Sequence, residues 1–383
     1  MKLLIVNFEM DTGSSVLAWQ HQVAKELAKR CEQVVVLTQR IGAMEQFPNM
    51  EVHCIPSWML RFPFRFLGTK WLANLIVLQL CRDHTFDACF VHMNMEWVYR
   101  LAPVLRLHSV PVLLWYAHGS VTAKLKLAHY FSDLVVTSTP EGFRLPSRKV
   151  RVIGQGIDTD VFVLQQTDLA ESHDIISVAR ISERKRLHLL IETMAVLRHE
   201  HPDIPLRLRL VGRPLTRADR RYERRLRQLV RRWSLEGCLE FVGHVDFRKV
   251  PKLYRTAFVH VNVSNTGSMD KTVLEALACG CPVLTTNEAF QGLLAEDFPC
   301  MYSPSDNPEA LASRVMHIYE RRNEFSGNVL RSLVVGRHDL FSYVDRIMDH
   351  LRQIALAGDG KRTGPANGGK NMKTIYGSGR KRL

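Results

Sequence analysis

Between residues 264 and 283 the chain reads SNTGSMDKTVLEALACGCPV. A small polar loop leads into a short helical stretch with Lys271 and Glu275 four residues apart, hence on one helix face. Ser268 or Asp270 stands where a side chain can cap the helix start. The free N–H groups and positive dipole end there suit a phosphate. A cation beside a carboxylate at such an end fits a nucleotide, the cation for phosphate and the carboxylate for ribose hydroxyls. An ordinary surface helix with an i,i+4 pair would carry the same residues, so other segments must decide.

A second cationic stretch does point the same way. The apolar run Ile175–Val178 is followed by Ala-Arg-Ile-Ser-Glu-Arg-Lys-Arg, residues 179–186. A loop at the carboxyl end of a parallel strand is where α/β sheets bind ligands. Arg180 offers a planar fork for phosphate oxygens and Lys185 a point charge. His118 follows another apolar run, Val112–Trp115, and a histidine there either hydrogen-bonds structurally or faces a ligand. Asp158-Thr159-Asp160 has two carboxylates one residue apart, which can hold a hard cation. Arg180, Lys185 and Lys271 can hold phosphate oxygens directly. No metal and no cofactor is therefore expected.

These residues need a scaffold that presents strand ends. Apolar runs that read as strands fall at 2–7, 33–38, 51–55, 88–91, 111–115, 134–137 and 150–153. Helical patterns lie at 14–30, 68–82, 95–107 and 122–131. After a polar connector at 154–172 the alternation resumes. Strands are predicted at 174–178, 206–211, 239–242, 258–263, 282–285 and 299–302, and helices near 187–199, 217–234, 247–256, 269–279 and 307–322. Such βαβ repetition gives an α/β fold of mostly parallel sheets with helices on both faces. The expected organisation is two doubly wound Rossmann-like domains facing across a cleft, at 1–160 and 161–335. A helix within 336–356 closes the fold, and 357–383 forms a Gly- and Lys/Arg-rich tail too polar to bury a core.

Composition limits the function. The 383 residues carry a net charge of +14, with 46% hydrophobic and 23% charged residues, as in globular proteins. The excess charge is concentrated. Residues 207–232 hold eleven arginines against Asp219 and Glu223, and 357–383 hold seven Lys or Arg against Asp359. The rest is near neutral, which argues against a nucleic-acid binder. Tyr222, Leu226, Leu229 and Trp233 form the expected inner stripe of the first basic segment, leaving an arginine face for solvent or an anionic surface. The eight cysteines form no CxxC pair, a pattern of a reduced, cytoplasmic protein. No apolar run is long enough to span a bilayer. Residues 57–82 interleave aromatic residues with Arg61, Arg65, Lys70 and Arg82. That mix suits either a loop with a core helix or the headgroup region on the cytoplasmic face of a membrane.

Taken in order, SVARISERKRLHLLIETM, FVGHV with its following helix, and SNTGSMDKTVLEALACGCPVLTT resemble the donor domain of retaining family-4 glycosyltransferases (glycosyl transferases group 1) of GT-B fold. WYAHGS at 115–120 and STPEGFRLPSRKVRVIGQGIDTDVF at 138–162 resemble the same family, so the likeness covers roughly residues 1–355. It implies transfer of a sugar, with retention of configuration, from a nucleotide diphosphate sugar to a saccharide or lipid-linked acceptor. The setting would be cell-surface polysaccharide or glycolipid synthesis. Arg180 and Lys185 match the pair on the donor diphosphate, and Glu275 matches the glutamate on the ribose. Gly243, His244 and Val245 match the loop beside the nucleobase, and His118 a histidine near the reacting sugar. Gly13 and Ser14 occupy the place of the first-domain glycine-rich loop, without its double glycine. Asp158 and Asp160 fall in what resembles the family's hinge. The family's earlier glutamate is replaced by Gly267, and the loop offers Ser268, Asp270 and Lys271 instead. Asp270 is expected to cap the helix or meet a sugar hydroxyl, and Lys271 to meet phosphate. A sugar-nucleotide epimerase or hydrolase of the same fold, or a catalytically silent nucleotide-sugar-binding scaffold, would share these residues.

Overall fold

The computed structural model describes residues 1–13, 17–55, 68–164 and 171–362. The first domain is built on β1 (Lys2–Val6), β2 (Gln33–Thr38), β3 (Met50–Cys54), β4 (Ala88–His92), β5 (Val112–Trp115), β6 (Leu134–Thr137) and β7 (Val150–Val152). Its helices are α1 (Ala18–Ala28), α2 (Gly68–Asp83), α3 (Met95–Leu107) and α4 (Ala123–Phe131). The second uses β8 (Asp174–Val178), β9 (Arg207–Val211), β10 (Leu239–Gly243), β11 (Val259–Asn262) and β12 (Val283–Thr285). With them go α5 (Leu187–Glu200), α6 (Arg217–Arg232), α7 (Val250–Arg255), α8 (Lys271–Ala278), α9 (Gln291–Leu294), α10 (Pro308–Glu320) and α11 (Gly327–Ser332). The last helix is α12 (Leu340–Arg362).

Both sheets are parallel throughout their described strands, in the orders β3-β2-β1-β4-β5-β6-β7 and β10-β9-β8-β11-β12. Each chain path starts at a central strand, runs to one edge, then returns to the other side. This leaves a switch point between β1 and β4 and another between β8 and β11, where crevices open at the carboxyl ends. The central strands are apolar on both faces because helices cover both: Leu3, Leu4, Ile5 and Val6 are all buried.

The last helix does not belong to the sheet that precedes it. Tyr343, Val344, Ile347, Met348, Leu351 and Ile354 of α12 join the core of the first domain, packed beside α1. The chain therefore crosses between the sheets twice. The two crossings are tied side by side: Ile157 N–H donates to the His338 carbonyl at 2.8 Å, and Leu340 N–H to the Ile157 carbonyl at 2.7 Å. Arg331 adds bonds to the carbonyls of Phe162 at 2.6 Å, Ala278 at 2.7 Å and Thr159 at 3.0 Å.

Four expectations need correction. Residues 299–302 are not a strand: Pro299 lacks an N–H and opens a 3₁₀ turn, leaving one bridge between Thr285 and Tyr302. The helix expected over 14–30 is α1, which begins only at Ala18, and residues 14–16 lie outside the described residues. The terminal helix runs to Arg362, so the tail does not begin at 357. The buried stripe of α6 is Asp219, Tyr222, Leu226 and Val230, while Trp233, past the helix end, is 48% exposed.

Tyr343 is fully buried, its ring 6.0 Å from that of Trp19. Tyr343→Ala is expected to lower the unfolding free energy by about 3–5 kcal/mol, read by urea denaturation. A loss under about 1 kcal/mol would mean that α12 is only attached to the surface of the first domain.

Candidate active site

The carboxyl ends of the two sheets meet. Thr139 Oγ1 donates to the Gly267 carbonyl at 2.5 Å, and Met269 N–H to Ser138 Oγ at 3.3 Å. Gly119 N–H reaches the Thr266 carbonyl at 3.4 Å, and Arg144 pairs with Glu288. The loops after β5 and β6 thus seat on the loop after β11. Gly267 makes the approach feasible. It has φ +70°, and a Cβ there would stand 2.9 Å from the Glu141 carbonyl oxygen. A glutamate at this position would strike the first-domain backbone.

The basic loop after β8 lies beside this junction. A second close approach shapes it: Gly212 has φ +141°, and a Cβ would stand 1.9 Å from the Ala179 carbonyl oxygen. The guanidinium of Arg180 bonds Asp219 Oδ2 through Nε at 3.2 Å and Nη2 at 3.0 Å. Asp219 is the N3 residue of a capping box with Thr216 at the start of α6. Burial opposes its charge, but bonds from Thr216 and Leu215 and the Arg180 guanidinium hold it below the usual carboxylate range. One carboxylate thus caps the helix and aims the arginine.

Lys185 is aimed in the same manner. Its Nζ lies 2.5 Å from Asp270 Oδ1, while Asp270 Oδ2 accepts from Asn262 Nδ2 at 3.0 Å and from Ser264 Oγ. Burial favours the neutral acid, but Lys185 and the two neutral donors outweigh it and depress the Asp270 pKa. Asp270 occupies the N-cap position of α8 without a side-chain cap bond, and Ser268 caps nothing either. The expected capping role is corrected for both: the carboxylate is drawn off by Lys185, and Ser268 offers its carbonyl to Asn287 Nδ2 at 2.9 Å. The first N–H groups of α8 carry no side-chain cap.

Lys271 turns from that cluster toward the first domain. Its Nζ stands 4.0 Å above the Trp19 ring, a cation–π contact across the domain boundary. Glu275 stays on the same helix face and accepts from Tyr254 Oη at 3.4 Å. Desolvation dominates both, pulling the ammonium well below and pushing the carboxyl above its ordinary pKa; their mutual attraction only partly offsets it.

His118 is half-buried. Its backbone N–H donates to the Gly142 carbonyl at 2.7 Å, and Nδ1 accepts from Ser120 N–H at 3.1 Å. Nε2 faces the Arg184 guanidinium. Desolvation and Arg184 together lower the His118 pKa. The edge between the domains is thus rich in donors aimed at one place.

Other expected residues spread differently. Gly243 ends β10 at φ +81° and accepts from Gly212 N–H at 2.8 Å; His244 beside it is exposed and Val245 is half-buried. Gly13 is exposed in a turn held by Asp11 at 2.9 Å, and Ser14 lies outside the described residues. Asp158 accepts N–H bonds from Asp160 and Val161 and a bond from Gln22, which is a turn in the crossing segment. No group of three metal-ligating side chains occurs among the described residues.

The structure adds residues that sequence reading missed. At the first-domain switch point Asn7, His92 and Asn94 follow or end β1 and β4 and are buried. His92 Nδ1 accepts from Gln20 Nε2 at 3.0 Å, its ring stacks on Trp115, and burial pushes its pKa down to about 3. Asn7 Oδ1, His92 Nε2, Asn94 Nδ2 and Trp19 Nε1 have no hydrogen-bond partner among the described residues. Three of these groups follow or end β1 and β4 and the fourth is on α1, and buried polar groups left without a partner mark a place where a polar ligand could bind. Only strand order reveals that β1 and β4 are neighbours. Asp219, by contrast, was legible in the T-x-x-D box at 216–219.

Residues 172–321 match the family described as glycosyl transferases group 1. WcaL of Escherichia coli (strain K12), named as a colanic acid biosynthesis glycosyltransferase, is 30% identical over 178 residues, 44% of this chain and 42% of its own length. Mannosylfructose-phosphate synthase of Agrobacterium fabrum is 25% identical over 170 residues, 40% of this chain and 37% of its own length. The chain thus matches well under half the length of each of these curated relatives. Among solved structures, Anabaena HepE in complex with UDP superposes with a TM-score of 0.73 over 92% of this chain and 100% of that one, at 17% identity. HepE with UDP-glucose gives the same TM-score at 16% identity. The two parallel-sheet domains therefore have the GT-B fold, and the stretch that matches the glycosyl transferases group 1 model lies in the second.

Three substitutions test this geometry. Gly267→Ala should cost about 1–3 kcal/mol, because the left-handed φ and the Glu141 carbonyl both reject a Cβ. Gly292→Ala, where nothing lies within 4 Å, should be neutral or stabilising; equal effects in thermal unfolding would remove the argument. Asp219→Asn should weaken nucleotide diphosphate binding about tenfold by releasing Arg180, measured by calorimetry. Unchanged affinity would mean that Arg180 does not need its carboxylate.

Proposed function

We propose that the chain is a glycosyltransferase that moves a sugar from a nucleotide diphosphate donor to an acceptor hydroxyl, with retention of anomeric configuration. The observation that carries this reading is the convergence of Arg180, Lys185 and the N–H groups of α8 at the second switch point, opposite His118 and the orphaned polar groups of the first. The cations would hold the diphosphate and Glu275 the ribose hydroxyls, with the base beside Gly243, His244 and Val245. Charge grows on the leaving phosphate oxygen as the glycosidic bond breaks, and preorganised cations in a cleft that excludes water stabilise it. The leaving phosphate can take the proton of the attacking hydroxyl, so no protein base is required. His118, its pKa lowered by burial and by Arg184, would hydrogen-bond the sugar. The acceptor would lie against Asn7, His92 and Asn94. No metal is invoked, because the cationic loop supplies the charge.

The likeness to WcaL and HepE supports a role in cell-surface polysaccharide or glycolipid synthesis with a uridine nucleotide among the first donors to try. A saccharide or lipid-linked acceptor fits this setting, at the cytoplasmic face of the membrane. No helix among the described residues is long and apolar enough to cross a membrane, and of the aromatic, basic stretch at 57–82 only α2 from Gly68 is described.

The test is turnover with UDP-glucose and related donors. A thermal-shift screen first identifies the donor, since a ligand present at about 100 times its Kd should stabilise the fold by about 2.7 kcal/mol. Release of nucleoside diphosphate only with acceptor present is the expected result, and Arg180→Ala should reduce it at least about a hundredfold. Release without acceptor would make the protein a hydrolase or epimerase. Binding without release would make it a scaffold, and near-normal turnover of the alanine variant would sink the site assignment.

A further inference from the structure

Helix α6 carries Arg217, Arg220, Arg221, Arg224, Arg225, Arg227, Arg231 and Arg232 around its outer face. Its inner stripe is buried along the helix, and the only helix it packs against closely is α5. Two of the arginines are neutralised locally, Arg225 by Glu183 and Arg227 by Glu223. Arg217, Arg220, Arg221, Arg224 and Arg231 have no carboxylate partner among the described residues. Sixteen residues make a stripe about 24 Å long. Unpaired guanidinium groups at this density repel one another, and Glu183 and Glu223 relieve only two of the eight. The fold keeps the helix by its capping box and its apolar inner stripe, and leaves the outer charge uncompensated.

Exposed apolar groups flank the stripe. Leu215, just before α6, is 38% exposed, and Trp233, just after it, is 48% exposed with Arg232 stacked 5.8 Å from its ring. We propose that this face seats the protein on a bilayer surface rich in anionic phospholipid headgroups. Arginines pair with phosphate oxygens bidentately, and a part-exposed isobutyl group and indole at the two ends of the helix suit the boundary between headgroups and acyl chains. A nucleic-acid backbone would use the arginines but has no apolar layer for Leu215 and Trp233. The attraction comes from helix–headgroup charge, so it weakens as salt is added.

The seat is joined to the cleft. Asp219 of α6 holds Arg180, and Arg225 holds Glu183, in the same 3₁₀ turn as Lys185. Docking α6 would therefore bring the cationic loop to a fixed height above the bilayer, where a lipid-linked acceptor lies. That consequence rests on the function proposed above, whereas the docking itself does not.

The test is flotation of the full chain with vesicles of phosphatidylcholine containing phosphatidylglycerol, at low and high salt. The wild type should float at low salt and be released at high salt. A variant with Arg217, Arg221, Arg224 and Arg231 all changed to Gln should bind at least about tenfold more weakly, and the matching four-Lys variant should bind as the wild type does. Circular dichroism and the thermal midpoint check that each variant is folded. Quenching of tryptophan fluorescence by brominated lipid should fall in Trp233→Phe, a single change at a half-exposed position past the helix end. Absence of wild-type flotation, unweakened binding of the glutamine variant, or undiminished quenching in Trp233→Phe would overturn the proposal. Tighter binding to duplex DNA or RNA than to vesicles would overturn it as well, by making the partner a nucleic acid. A thermal shift with UDP-glucose, run on the same samples, reads the donor site separately.

Discussion

The contact at Gly267 constrains everything around it. Two α/β domains have been brought edge to edge so closely that one backbone runs against another, with Thr139 and Ser138 bonding across the junction. Such contact leaves no room for a side chain at 267 and sets the height of the loop that follows. That loop carries Asp270 into hydrogen-bond range of Asn262, Ser264 and Lys185. It also starts α8 where Lys271 reaches Trp19 of the other domain. The glycine is therefore less a lost carboxylate than the condition for a different arrangement of charge.

That arrangement is economical. Asp219 and Asp270 are both buried anions, and each serves two structures: one caps α6 while fixing Arg180, the other knits the loop after β11 while fixing Lys185. A cation held this way has lost most of its rotamer freedom before any ligand arrives, which reduces the entropic cost of binding. The Lys271–Glu275 pair behaves oppositely. Burial disfavours the charged form of both groups, and their mutual attraction offsets only part of it.

The sequence made the scaffold legible because period and composition agree with burial. The runs at 33–38, 134–137 and 174–178 are strands with those bounds, since parallel strands covered on both faces leave little doubt about their residues. The stretch at 299–302 was misread because four apolar-flanked residues cannot be told from a strand when proline takes the first N–H away. The candidate site divides similarly. Arg180, Lys185, Lys271 and Glu275 announce themselves by charge in a loop or on a short helix. Asn7, His92 and Asn94 do not, since an isolated polar residue at a strand end looks like any turn. Their proximity comes from β1 lying next to β4, across most of a hundred residues of chain. Capping was misassigned for a related reason: Asp270 has the right residue type and position, and only the arrival of Lys185 from a distant loop decides where its oxygens go.

The paired crossing segments at Ile157 and His338–Leu340 have a mechanical meaning. A single linker would let the two domains turn freely about it. Two strands bonded to each other, one leading into the second domain and one returning α12 to the first, resist torsion about the line that joins the domains. Any opening of the edge at Gly267 would therefore have to work against both crossings at once.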